Sequence, residues 1–99
     1  MTNQTLVEIG SLITRSPDIK GGSPRIAGTG VTVKRIAGWH SLGMAPEEIA
    51  AEYGHLTLAQ VHAALAYYYA NRQEVDADLE DEAAEYSRLL NEAHSGSPS

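Results

Sequence analysis

The chain has 99 residues, no cysteine and a formal net charge of −6. A chain of this length forms one domain with a modest core, burying only about 60–70% of the surface its unfolded form exposes, so an elaborate enclosed active site is not expected. Disulfides, thiolate metal sites and cysteine nucleophiles are excluded, and the thin core must be supported by packing or oligomerisation, for which a homodimer is the expected form.

The opening Met1-Thr2-Asn3-Gln4 carries no basic segment and no apolar stretch of signal length, and nowhere do eighteen apolar residues run together. A soluble, cytoplasmic protein is expected, with no membrane partner. After an N-terminal segment over 1–11, β-branched residues and turn formers alternate: Leu12-Ile13-Thr14, Ser16-Pro17-Asp18, Gly21-Gly22-Ser23-Pro24 and Ile26 to Val33. One or two short strands or a hairpin fit this pattern, with Gly28 and Gly30 able to supply positive φ and Ile26, Val31 and Val33 favouring extended backbone.

From Val33 the period becomes helical. A first helix runs to Leu42, with Ile36, Ala37 and His40 on one face and Gly43 as its stop. A second begins at Pro46, where Glu47 and Glu48 complement the dipole and Ala45 is a poor cap; Ile49, Ala50 and Tyr53 face inward and Gly54 ends it. The third has the clearest start: Thr57 and Gln60 make a capping box, and Leu56 and Val61 are spaced as a hydrophobic staple. Leu58, Val61, Leu65, Tyr68, Arg72, Val75, Leu79, Glu82, Tyr86, Leu89 and Ala93 then alternate steps of three and four, which either one long helix or two helices bent near Asn71 would satisfy. The expected organisation is a β element plus helical core over 12–71, an acidic C-terminal helix over 72–94, and a disordered tail over 95–99.

Charge divides the chain in the same place as structure. Residues 1–35 carry five basic against two acidic side chains, and residues 36–99 carry Arg72 and Arg88 against eleven carboxylates. Opposite fields at the two ends point to two different partners.

Two short helices followed by a longer one, with Gly54 in the turn, outline a helix-turn-helix whose last helix would enter a DNA major groove. With Leu58, Val61, Leu65 and Tyr68 facing the core, Thr57, Gln60, Ala63 and Tyr67 would be presented outward, with His62 at the margin, and Gln60 is suited to read an adenine edge. No lysine or arginine lies between Ile36 and Asn71, so phosphate anchoring would fall to Lys34, Arg35, Arg25 and Lys20. Enzyme readings fare worse. The four histidines have no metal-like spacing, the glycine-rich segments complete neither a phosphate loop nor a dinucleotide fingerprint, and the carboxylates from Asp76 to Glu85 spread around a solvated helix. No catalytic residue, metal, cofactor or small-molecule substrate is expected. In the triplet Tyr67-Tyr68-Tyr69 at least one ring must point into the core, leaving the others for partner contact.

The ordered series Ile13-Thr14-Arg15-Ser16-Pro17-Asp18-Ile19, Gly21 to Thr29, Arg35-Ile36-Ala37, Gly43 to Ala50, Leu56 to Val61 and Ala64 to Tyr68 resembles the domain-of-unknown-function 433 family over roughly residues 12–80. The resemblance implies a mostly α fold, a homeodomain-like three-helix core with a short N-terminal β element. It further implies likeness to VapB-type antitoxins encoded beside a PIN-like ribonuclease toxin. Two positions depart from the family pattern: Gly30 stands where arginine usually follows the Gly-Thr pair, and Ala45 where serine often precedes the proline.

The expected function is therefore that of a homodimeric antitoxin, inhibiting a PIN-like nuclease and autoregulating its operon through DNA. Lys34, Arg35, Arg25, Thr57 and Gln60 would touch DNA, while Arg72, Val75, Leu79, Tyr86, Arg88 and Leu89 would touch the toxin. Because PIN nucleases hold divalent metal on carboxylates, inhibition could send Arg72 or Arg88 into that cluster, or lay the acidic helix along the RNA groove. The alternatives are a stand-alone DNA-binding regulator and a non-enzymatic oligomerisation module.

Overall fold

The computed structural model describes residues 6–95. It is mostly helical: a 3₁₀ turn at Ile9–Leu12, strand β1 (Ile13–Thr14), a second 3₁₀ turn at Lys20–Gly22, strand β2 (Arg25–Ile26), and helices α1 (Val33–Ser41), α2 (Pro46–Tyr53), α3 (Leu58–Ala70) and α4 (Arg72–Ser95). The anticipated disordered tail lies outside the described residues, apart from Ser95 at the end of α4.

The strands pair antiparallel with Ile13 opposite Ile26 and Thr14 opposite Arg25, so the hairpin is only two residues deep. Its partner is the helical layer, since both strands and the first 3₁₀ turn contact α3. Between the strands, Lys20, Gly21 and Gly22 all adopt positive φ, a sharp reversal that a lysine enters at a cost and glycines enter freely. Beyond β2 the chain turns at Gly28, with φ of 78°, where Thr29 donates both its N–H and its hydroxyl to the carbonyl of Ile26. Gly30 is not in the positive-φ region, contrary to the expectation for it.

Each helix start has a local cause. Thr32, a cap that the sequence reading passed over, accepts from the Arg35 N–H and opens α1, with Val33 fully buried as the first helical residue. Ala45 has no side chain to cap α2, yet Glu48 reaches back to accept from the Ala45 N–H at 2.8 Å, so half of a capping box is in place. At α3 both halves exist: Thr57 Oγ1 accepts from the Gln60 N–H at 3.1 Å and Gln60 Oε1 accepts from the Thr57 N–H at 2.7 Å. Leu56 and Val61, the staple pair, are both buried. Gly54, with φ of 75°, ends α2 in the left-handed conformation.

α3 is the central element, in contact with α1, α2, both strands and α4. Its inner stripe is Val61, Ala64, Leu65 and Tyr68, which closes a core with Ile26, Val33, Ile36, Ala37, Ile49, Leu56 and Val75. Two expectations for this helix are corrected. Leu58 is 42% exposed, because Leu56, just before the cap, already fills that end of the core. Ala63, expected outside, is buried because α3 is covered by the strands as well as by helices.

The choice between one long helix and two is decided at Asn71. Its φ of −134° and ψ of 43° interrupt the helix, its Nδ2 donates to the Tyr67 carbonyl, and its own carbonyl accepts from the Val75 N–H to begin α4. The first turns of α4 pack back on α1: Val75 is 1% exposed and Leu79 lies against the core. From Glu80 to Ala93 every side chain is exposed. No helix among the described residues is long and apolar enough to cross a membrane.

Candidate functional site

Two surfaces stand out, the basic end of α1 and the acidic α4, and the structure brings them together. Glu74, Asp78 and Glu82 are spaced four apart and share one face of α4. Arg15 meets Glu74 at 2.6 Å and Lys34 meets Glu82 at 3.1 Å, while Asp78 shares a cleft with Arg15, Lys20 and Lys34. The hydrogen bond that Arg15 donates to Glu74, with electrostatic contributions from Tyr67, Glu74 and Asp78, holds the Arg15 guanidinium above its ordinary pKa. The Arg15–Glu74 pair is solvent-exposed and Lys34 is half-buried against an exposed Glu82, so each pair is worth about 0–1 kcal/mol after solvent screening.

The expected DNA contacts are thereby redistributed. Arg25 is spent inside the domain, donating to the Thr29 carbonyl and to Ser16 Oγ, because it spans the turn that follows β2. Thr57 and Gln60 are spent on each other's backbone, so the side-chain oxygen that would read a base is already accepting a hydrogen bond. The outward side chains of α3 are Leu58, Ala59, His62, Ala66, Tyr69 and Ala70, with no lysine or arginine among them. Tyr68 is the buried ring of the tyrosine triplet, Tyr67 is half-buried, and Tyr69 shares a 2.6 Å hydrogen bond with His40 Nε2. Lys34 is paired with Glu82, whereas Arg35 is exposed and forms no ion pair among the described residues.

Of the side chains expected to meet a partner, Val75 is not available, since it belongs to the core, and Leu79 is half-buried against it. Arg72 lies over the rings of Tyr68 and Tyr69, 5.5 and 5.9 Å from their centroids, and faces Asp76. Arg88 is clasped by Glu85 and Glu92 on its own helix. Tyr86 and Leu89 are exposed, and so is Leu90 beside them.

A third feature was not foreseen. A cleft of 630 Å³ opens at the start of α1, where Lys20, Lys34 and Arg35 stand around Trp39 and Tyr53. Trp39 Nε1 donates to Tyr53 Oη at 3.0 Å, joining α1 to the end of α2. The signal available in the sequence was Lys34-Arg35, five and four residues before Trp39, which on a helix places the cations about a turn from the ring. Among the described residues no three His, Asp or Glu side chains are grouped as a metal would require.

A family model described as a protein of unknown function (DUF433) matches residues 13–68, more than half of the chain. The chain belongs to the DUF433 family. Within DUF433 the match runs from β1 to Tyr68 of α3, stopping short of the residue-80 limit that the motifs had indicated, so α4 lies beyond it. Among solved structures, the crystal structure of a DUF433 member protein from Anabaena variabilis is 28% identical, with a TM-score of 0.67 over 71% of this chain and 69% of that one. No curated protein matches the chain.

Proposed function

We propose that this DUF433 protein is an antitoxin-type inhibitor that lays the distal half of α4 along a basic, RNA-binding groove of a partner nuclease. The observation that supports this reading is the exposure of every side chain from Glu80 to Ala93, where Tyr86, Leu89 and Leu90 form an uncovered apolar stripe. At steps of three and one these residues share a face, and five carboxylates against Arg88 surround them. Pairing with a second copy of this segment would set like charge against like; a cationic groove would satisfy both the stripe and the charge. A nuclease carries such a groove for its substrate's phosphates. The choice of a PIN-like enzyme rests on the family resemblance. With Arg88 held by Glu85 and Glu92 and Arg72 stacked on tyrosines, inhibition proceeds by covering the groove rather than by inserting a cation into a metal site. The homodimer remains part of the proposal, supported by the two-residue strands and by exposed Leu6, Val7 and Ile9 near them.

The test is to co-express the chain with the nuclease encoded beside it and to measure co-purification and RNA cleavage. A stoichiometric complex with suppressed cleavage is expected, and both should be lost in the Leu89→Asp, Leu90→Asp double variant. A double variant that inhibits as well as the parent overturns the reading. Light scattering at tens of micromolar checks the dimer.

A further inference from the structure

The cleft at the start of α1 continues past Trp39 into a second, shallower groove toward Leu42, and Lys34, Arg35, Trp39 and Glu82 line both. The two grooves thus adjoin in a channel that carries both cations and the half-buried Trp39. We infer that this channel binds single-stranded nucleic acid, with phosphates on Lys20, Lys34 and Arg35 and a base against Trp39 and Tyr53. This goes beyond the nuclease-partner reading and does not depend on it.

Three observations carry the inference. The combination of a basic track with half-exposed aromatic rings is the chemistry that holds a single strand, because an unpaired base can turn its face onto a ring whereas a duplex keeps its base faces stacked inside. Arg35 has no acidic partner among the described residues, and the anion paired with Lys34 is supplied by Glu82, a side chain on the surface of another element. Gly30 keeps one wall low: a Cβ there would already stand 3.5 Å from Lys20 Cε, so a longer residue would fill the space beside that lysine. Glu82 and Glu52, which also lines the cleft, set a limit on affinity, and Glu82 acts as an internal competitor that an incoming phosphate must displace.

Trp39 is the only tryptophan in the chain, so its emission reports on the channel directly. The full chain is titrated at low salt with an oligothymidine of about twelve nucleotides and with a duplex of the same length. Saturable quenching of Trp39 is expected with the single strand, with the duplex bound about fivefold more weakly or worse. Arg35→Ala, at an exposed position that leaves the core untouched, should weaken binding about fivefold and flatten the salt slope by roughly 0.7. Glu82→Gln should tighten binding about threefold to tenfold, while Glu80→Gln, which changes net charge equally but lies outside the channel, should not. Unchanged Trp39 emission, a duplex bound as tightly as the strand, or equal effects of the Glu82 and Glu80 variants would each overturn the inference.

Discussion

Tyr68 Oη donates to Asp76 Oδ1 at 3.0 Å across the interruption at Asn71, tying the last turns of α3 to the first turns of α4. The bond spans the one point where the helical path breaks, so it helps set the direction in which α4 leaves the core. Its acceptor is only partly buried and its carboxyl group also faces Arg72, which places its value in the ordinary range for a hydrogen bond. Tyr68→Phe is therefore expected to cost about 1 kcal/mol, lowering the thermal midpoint by roughly 4–8 °C without loss of helical signal. Circular dichroism melting checks both.

Val75 and Leu79 place the first two turns of α4 in the core, whereas Tyr86, Leu89 and Leu90 leave the rest of it outside. A chain ending after Glu82 keeps these core contacts and the Arg15–Glu74 and Lys34–Glu82 pairs, and should melt cooperatively close to the full-length midpoint. A chain ending after Asn71 loses all of them. Its midpoint should fall by roughly 10 °C or more, given the value of one fully buried valine and one half-buried leucine. Calorimetry of the two truncated chains distinguishes the two parts of the helix.

Ala45 sits at the cap of α2 with φ of −72° and ψ of 154°, the extended geometry that a capping serine uses, and Glu48 already supplies the reciprocal bond. Ala45→Ser should complete the box and stabilise the protein by about 1 kcal/mol. A chemical denaturation curve with an unchanged slope and a higher midpoint is the expected result.

Gln60 carries a different expectation from the one its position in a helix-turn-helix suggests. Since its side-chain oxygen closes the α3 capping box, Gln60→Ala should cost about 0.5–1 kcal/mol of stability and leave any base preference unchanged. Thr57→Ala should cost about 1 kcal/mol by the same account. Comparing the melting curves with a sequence-selection assay on both variants separates a cap from a reading residue. A shift of preference at one base in Gln60→Ala would show that the amide leaves its cap on binding.

What the sequence determined by itself is what short spacing can encode. The Thr57–Gln60 box, the Leu56–Val61 staple, the Pro46 start and the Gly54 stop all involve groups within five residues of each other, where backbone geometry alone brings partners together. Periodicity also located Val61, Leu65 and Tyr68 of the inner stripe of α3, though not Leu58, and limited the final helical run to two paths. Tertiary structure had to decide the rest. Arg15 finds Glu74 across 59 residues, and Lys34 finds Glu82 only because Val75 fixes α4 against α1. Whether Arg25 and Lys34 are available to a phosphate, or Val75 to a partner, therefore depended on where distant segments lie. No local pattern encodes that, since a surface cation looks the same in sequence whether it faces water, a carboxylate or a ligand.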